Sequence, residues 1–124
     1  MLPKISDAEW RVMKLLWEKS PRTANEIVDE LEGNVNWNAQ TIRTLINRLV
    51  QKGAINFEKD GRAYLYYPTV KERDVQRAET KSFISRVFSG AMKPMIATFL
   101  EETDLSEEEI DDLERLLQQK KSVK

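Results

Sequence analysis

The first 53 residues carry apolar positions at helical spacing, interrupted by two short stretches rich in polar residues, glycine or proline. This pattern predicts three consecutive amphipathic helices, at about 7–19, 24–32 and 37–53. The first two helices open with capping-box sequences, in which Ser6 pairs with Glu9 and Thr23 pairs with Glu26. Because the second and third helices are joined by a short polar link, we expect them to form a helix-turn-helix.

The third predicted helix has two contrasting faces. One face is a narrow apolar stripe of Ile42, Leu45, Ile46 and Leu49, and Gly53 stands where a glycine ends a helix. The opposite face contains no acid and only hydrogen-bond donors, namely Gln40, Arg43, Thr44, Asn47, Arg48 and Gln51. In the major groove, arginine can fork onto guanine, amides can read adenine, and threonine can meet a phosphate or a thymine methyl group. The alternative is a polar face that is merely solvated and has no binding function. The elements predicted before and after this helix favour DNA binding instead.

Two β-prone runs, 54–59 and 62–67, flank Asp60-Gly61, which is the strongest short-range signal for a hairpin. A two-residue turn would pair Phe57 with Tyr64 and Ile55 with Tyr66. A three-residue turn would instead bury Leu65 and Tyr67, and the sequence leaves both registers open. In either register Lys59 and Arg62 flank the tip, where a DNA-binding wing touches phosphate or the minor groove.

From about residue 70 the chain becomes helical and highly charged, with helices predicted at 71–88 and 93–102 and a third that starts after Ser106. Their apolar stripes are narrow, and fewer than 60 residues rarely stabilise a helical unit alone. We therefore expect a second copy of the chain to complete this domain, and the alternative is a monomer whose tail packs on its own winged domain. The expected dimerisation residues are Phe83, Ile84, Val87, Phe88, Met95, Ile96, Phe99, Leu100, Leu113, Leu116 and Leu117.

The predicted fold class is thus mainly α with a small β-hairpin wing (α+β). A winged helix-turn-helix DNA-binding domain occupies residues 1–69, and a three-helix dimerisation domain occupies residues 70–124. Such a homodimer would place two reading helices one turn of double-stranded DNA apart, on a palindromic site.

Composition narrows the function further. The net charge is −1, but residues 38–67 hold five basic side chains against two acidic ones, which makes a local patch for phosphate. Cysteine and histidine are absent, which excludes disulfides, thiolate zinc sites and Cys–His or Ser–His catalysis. We therefore predict no enzyme activity, no metal and no cofactor. No run is long enough to span a membrane and no signal peptide is present, so we expect a cytoplasmic protein without membrane insertion.

Four stretches resemble the BlaI/MecI family of penicillinase repressors. They are ISDAEWRVMKLLW (5–17), TIRTLINRLVQKG (41–53), GRAYLYYP (61–68) and FLEETDLSEEEIDDL (99–113). The resemblance implies a dimeric winged-helix repressor of β-lactam-resistance genes that occupies a dyad operator. Carried over by position, the best-matched DNA contacts are Thr41, Arg43, Thr44 and Arg48. The hairpin pattern, rather than the resemblance, adds Lys59 and Arg62 to these contacts.

The resemblance also implies a route of induction. Family members are inactivated when a membrane-bound zinc metallopeptidase sensor responds to a β-lactam and cuts the dimerisation domain, commonly at an Asn-Phe bond. The aligned bond here is Thr98-Phe99. A second departure is Gln40, which replaces a lysine common in the family, so the family's operator sequence is not carried over. A sister branch senses copper through a Cys-x-Cys pair, which this chain lacks.

Two other functions remain as alternatives. One is a repressor of the same type that controls other genes in response to an unknown inducer. The other is a winged-helix adaptor that binds proteins, in which residues 99–114, with nine acids and no base, form a docking surface. Only a DNA-binding protein would lose affinity steeply with added salt.

Overall fold

The computed structural model describes residues 2–122, and within them the chain forms six helices and one two-stranded antiparallel sheet. The elements are α1 (Asp7–Glu18), α2 (Ala24–Glu32), α3 (Ala39–Lys52), β1 (Ile55–Asp60), β2 (Ala63–Pro68), α4 (Glu72–Phe88), α5 (Met92–Glu102) and α6 (Glu107–Ser122). The mainly helical fold with a hairpin wing is therefore confirmed. The chain divides into two compact units between Glu79 and Thr80, inside α4, ten residues after the predicted domain boundary. Val75, in the first half of α4, belongs to the core of the first unit.

The predicted capping boxes are present at the starts of α1 and α2. The Ser6 N–H donates to Glu9 Oε1 over 2.9 Å, and the Glu9 N–H donates to Ser6 Oγ over 3.2 Å. Thr23 and Glu26 make the same reciprocal pair, at 2.9 Å and 3.1 Å. Each box satisfies two backbone donors that a helix start would otherwise leave unpaired.

The core of the first unit lies between α1, α2, α3 and the hairpin. Its fully buried large side chains come from all of these elements and include Met13, Leu16, Ile27, Ile42, Ile46, Leu49 and Ile55. Each contributes about 1.5–3 kcal/mol relative to an exposed position. Trp10 and Trp17 pack against this core with ring centroids 5.5 Å apart, and Trp17 Nε1 donates to the Val70 carbonyl over 3.0 Å. The tryptophan pair is therefore structural.

The hairpin register differs from both registers considered in the sequence. Phe57 pairs with Tyr66 and Lys59 with Tyr64, so the two-residue loop is Gly61-Arg62. Gly61 has φ of +65°, the positive value that a type II′ turn needs at its first loop residue. The register is shifted by two residues from the predicted two-residue turn, and a shift of two leaves every side chain on its predicted face.

The hairpin is joined to the link between α1 and α2. The Arg22 N–H donates to the Tyr66 carbonyl over 3.0 Å, and the Tyr66 N–H donates to the Arg22 carbonyl over 2.8 Å. This isolated bridge adds two backbone hydrogen bonds to β2. It therefore ties the wing to the helical part of the first unit.

A partly buried ion pair, in which Glu9 is buried and Lys52 is 36% exposed, joins the end of α3 to the start of α1. Lys52 Nζ lies 2.5 Å from Glu9 Oε1 and also donates to the Lys4 carbonyl, and the Glu9 side chain is 2% exposed. Burial by itself raises the pKa of the Glu9 carboxyl, but hydrogen bonds from Lys52 and Ser6 and the Lys52 charge outweigh burial and hold that pKa below its ordinary value. Because the unfolded chain then binds more protons on acidification, this stabilisation is present above the unfolded pKa and is lost as pH falls.

Helices α5 and α6 and the second half of α4 make up the described part of the second unit, residues 80–122. Ser106 and Glu109 form a capping box at the start of α6, at 3.1 Å in both directions. No side chain of α5 or α6 is buried. Phe99, Leu116 and Leu117 are 48%, 60% and 63% exposed, so the apolar stripes of these helices are open in the single chain.

The Lys52→Met substitution should leave the buried Glu9 carboxylate without its cation. We expect the free energy of unfolding of the first unit to fall by about 1–3 kcal/mol at pH 7. The difference from wild type should shrink below about pH 5, because Glu9 of the variant is neutralised first. Urea unfolding followed by tryptophan fluorescence measures this unit, since Trp10, Trp17 and Trp37 all lie in it.

The matched control is Lys14→Met, which removes an exposed ion pair to Glu72 at 2.6 Å. This pair should be worth less than about 1 kcal/mol, because solvent screens both charges. Equal losses of unfolding free energy in the two variants would contradict the role assigned to the Lys52–Glu9 pair. A loss in Lys52→Met that stays constant with pH would contradict it as well.

Candidate nucleic-acid interface

The helix predicted to read DNA is α3, and it has a capping residue at each end. The Asn38 side chain accepts from the Thr41 N–H over 2.8 Å, and Gly53 ends the helix in the left-handed conformation with φ of +80°. The predicted apolar stripe is buried in the core of the first unit, and its members Ile42, Leu45, Ile46 and Leu49 are at most 5% exposed. Burial of this stripe fixes the rotation of the helix about its axis.

The predicted DNA-binding residues of α3 lie on its outer surface. The exposed ones are Gln40, Thr41, Arg43, Asn47 and Arg48, whereas Thr44 is half-buried. The Thr44 hydroxyl donates to the Gln40 carbonyl over 2.9 Å, so its hydrogen is used inside the helix. Thr44 can therefore offer DNA its methyl group or its oxygen lone pairs, but not a donor.

Arg43 is held by a residue that the sequence analysis did not single out. Its Nη2 donates to Asn25 Oδ1 over 2.7 Å, and both side chains are exposed. Asn25 lies in the first turn of α2, 18 residues earlier. No local pattern announces such a contact, because it depends on how α2 packs against α3.

A cleft of about 220 Å³ brings the reading helix and the wing together. It is lined by the start of α2, by Arg43 and by the end of the hairpin, with Thr23, Ala24, Asn25, Arg62, Ala63, Tyr64 and Tyr66. Arg43 and Arg62 thus share one cleft, whereas Lys59 does not line it and lies across the hairpin from Tyr64. Burial and the neighbouring Tyr64 raise the pKa of the Tyr66 hydroxyl, and Arg43 lowers it less. Tyr66 is therefore a neutral donor at physiological pH.

Three aromatic rings lie on the face of the hairpin that carries Tyr64 and Tyr66, which line the cleft. The Phe57 and Tyr64 rings lie 4.8 Å apart and the Phe57 and Tyr66 rings 5.6 Å apart. Phe57 is 38% exposed and Tyr64 is 45% exposed. The sequence predicts these residues only as hairpin pairs, although the alternate spacing of Tyr64 and Tyr66 places both rings on one face.

A donor-faced second helix of a helix-turn-helix, followed by a hairpin with basic residues at its tip, defines a winged helix-turn-helix DNA-binding protein. The model of the penicillinase repressor family matches residues 5–119. The chain therefore belongs to the penicillinase repressor family, whose members are DNA-binding transcriptional repressors rather than enzymes.

Relatives with assigned names agree with this family. The chain is 40% identical to the penicillinase repressor of Bacillus licheniformis over 123 residues, which cover 99% of this chain and 96% of that protein. It is also 40% identical to the methicillin resistance regulatory protein MecI of Staphylococcus aureus strain N315, over 94% of this chain and 95% of MecI. The structure resembles that of the monomeric form of Bacillus licheniformis BlaI in complex with the blaP half-operator, with a TM-score of 0.54 and 43% identity. That match covers 60% of this chain and 90% of the BlaI chain.

Among the helices of residues 2–122, none has the length together with the apolar character that a membrane span requires.

Replacing Arg43 and Arg48 together by alanine should abolish sequence-specific DNA binding and leave the far-ultraviolet circular dichroism unchanged, because both side chains are exposed. Each arginine that forks onto a guanine is worth about 1–3 kcal/mol of discrimination. Fluorescence anisotropy with labelled specific and random duplexes measures the loss. The control removes the same charge from α4, with Arg73→Ala and Arg77→Ala. Specific binding that survives the α3 substitutions would show that the reading helix is assigned wrongly.

Proposed function

We propose that two copies of this chain form a homodimer that occupies a dyad operator and represses β-lactam-resistance genes in the cytoplasm. The observation that carries the DNA half of this proposal is the relative whose monomeric form was solved on a half-operator, at 43% identity. One chain per half-site means that two chains fill a palindrome, with their reading helices about 34–36 Å apart.

In this arrangement α3 enters the major groove and the wing grips the flanking backbone. Base edges or phosphates are contacted by Gln40, Thr41, Arg43, Asn47 and Arg48. Thr44 contacts a base through its methyl group or its hydroxyl oxygen, because its hydroxyl hydrogen is used inside the helix. Lys59 and Arg62 at the hairpin tip neutralise phosphates, and each neutralised phosphate steepens the dependence of affinity on salt.

The apolar surface of the second unit supports the homodimer. Helices α5 and α6 form a groove of about 380 Å³ lined only by apolar side chains, namely Met95, Ile96, Phe99, Leu100, Leu113, Leu116 and Leu117. All seven are among the predicted dimerisation residues. The remaining four lie on α4, where Phe83 is 42% and Val87 54% exposed, and the Phe83 and Phe88 rings are 5.9 Å apart. Ile84, like Phe88, is half-buried. A contiguous apolar surface of this kind marks an interaction site, because leaving it in water is costly.

Dimerisation explains how such a repressor can be switched off. A single winged unit makes few phosphate and base contacts, and linking two units converts the second binding event into an intramolecular one. Loss of the dimer therefore removes most of the operator affinity while every DNA contact residue stays intact.

The proposal is tested first by a footprint on the DNA upstream of the chain's own gene, titrated with salt. Wild type should protect a dyad, with a steep loss of affinity as salt rises. The full-length Leu117→Glu variant should elute as a monomer and bind the dyad about 10²- to 10⁴-fold more weakly, because it loses the linkage between half-sites.

The matched control is Gln118→Glu, which adds the same charge on the side of α6 away from the groove. A Leu117→Glu protein that stays dimeric would refute the assigned interface. No protection by a folded wild-type protein would favour the protein-binding adaptor. A protected dyad beside genes unrelated to β-lactams would favour a repressor with another inducer.

We also propose that a membrane-bound sensor metallopeptidase relieves repression by cutting the Thr98-Phe99 bond. Both residues lie in α5, and the Thr98 hydroxyl donates to the Pro94 carbonyl over 2.9 Å. Phe99 lines the apolar groove, so a cut at this bond would split the proposed dimer interface. The helix must unwind locally before a protease can reach a peptide bond inside it.

Co-expression with a membrane-bound sensor metallopeptidase of the family and addition of a β-lactam should yield two fragments that intact-mass measurement assigns to cleavage between Thr98 and Phe99. Thr98→Asn restores the bond common in the family and should be cut at least as fast as wild type. Fragments that map to another bond, or a chain that stays intact during induction of the gene, would remove this site.

A further inference from the structure

The first observation is the hydrogen bond between the two helices of the helix-turn-helix. Asn25 on α2 accepts from Arg43 Nη2 on α3 over 2.7 Å. The capping box of α2 is made by Thr23 and Glu26, so the Asn25 carboxamide is not used in capping. The contact of Asn25 with Arg43 is a tertiary contact between two exposed side chains, whereas exposed polar side chains usually hydrogen-bond to water.

The second observation is that this bond leaves the arginine able to read a base. A guanidinium has five N–H donors, and a fork onto guanine O6 and N7 uses two of them. Asn25 takes a single bond at Nη2, so donors remain for the fork. The contact therefore restricts the direction of the side chain without occupying the groups that would meet DNA.

The third observation is that Asn25 and Arg43 line the same cleft, which Arg62 of the wing also lines. A long arginine side chain loses rotamer freedom when it is immobilised on a partner, and a side chain that is already held loses less. An uncharged amide provides this support beside the DNA without bringing a negative charge near phosphate.

We infer that Asn25 is a specificity-determining positioning residue, which orients Arg43 toward one base pair of each half-site before DNA arrives. The inference rests on the proposed placement of α3 in the major groove. Asn25 acts through Arg43, so its effect must vanish when Arg43 is absent.

A double-mutant cycle in the full-length chain tests the inference. Arg43→Ala first identifies the base pair at which single-base changes in the operator stop affecting affinity. Asn25→Ala should then lower the discrimination at that same base pair by about two- to tenfold, the equivalent of ordering one long side chain. Its affinity for random duplex and its salt slope should stay at wild-type values. In the Arg43→Ala background, Asn25→Ala should change nothing.

Two further variants separate positioning from folding and from charge. Asp29→Ala, also exposed on α2, is the control for an alanine in that helix and should keep full discrimination. Asn25→Asp keeps an acceptor for Arg43 and should retain discrimination, while its negative charge lowers affinity for every sequence alike. Alanine is a good helix former, so Asn25→Ala should unfold at the same temperature as wild type.

The outcomes are distinguishable from failure of the repressor function. A wild-type protein that binds no specific DNA would refute the function itself. If wild type discriminates between bases at that position and Asn25→Ala discriminates equally well or better, the positioning role is refuted and the repressor function stands. An Asn25→Ala effect that persists without Arg43, or full discrimination by Arg43→Ala, would refute it as well.

Discussion

The reading surface depends on the burial of one side of α3. Its apolar stripe, Ile42, Leu45, Ile46 and Leu49, is sealed in the core, with Ile42 and Leu49 completely inaccessible. Protein interiors are close-packed, so a helix held along such a stripe cannot rotate without opening voids. The ion pair between Lys52 and the buried Glu9 carboxylate also fixes the C-terminal end of the helix. Packing of the apolar stripe therefore sets the direction of the exposed side chains on the other side of α3, although these side chains are not part of the core.

Local rules explain why the elements of the first unit could be predicted. The pairings Ser6–Glu9 and Thr23–Glu26 span three residues, so the sequence alone contains both partners. The two-residue period of a strand predicts that alternate residues share a face, but it leaves open both the register and which face is buried. The sequence leaves open a two-residue loop of Asp60-Gly61 and a three-residue loop, whereas in the structure Gly61 supplies the first loop residue and Arg62 the second. A shift of two residues leaves the faces unchanged, and the apolar pattern therefore carried no signal against it.

The tertiary part of the site could not be predicted in this way. The bond between Asn25 and Arg43 joins two helices, and the cleft that contains both also needs the wing. Each of these depends on interhelical geometry, which periodicity does not encode. The dimerisation residues are a different case, because their apolar spacing is visible in the sequence and most of them are exposed in the single chain. The exposed ones are Phe83, Val87, Ile96, Phe99, Leu100, Leu116 and Leu117. Their pairing with a second copy, and cleavage at Thr98-Phe99, remain predictions.

The separation of the two faces of α3 has a consequence for how such regulators diverge. Exposed residues such as Gln40, Asn47 and Arg48 contribute little to folding, and surface substitutions usually change stability by no more than about 0.5 kcal/mol. Target preference can therefore drift between related regulators at almost no cost to the scaffold. Arg43 differs from the others in one respect, since its replacement also removes the role of Asn25, which acts only through Arg43. Changes at these two positions should then arise as pairs among relatives, while the rest of the outer face varies one residue at a time.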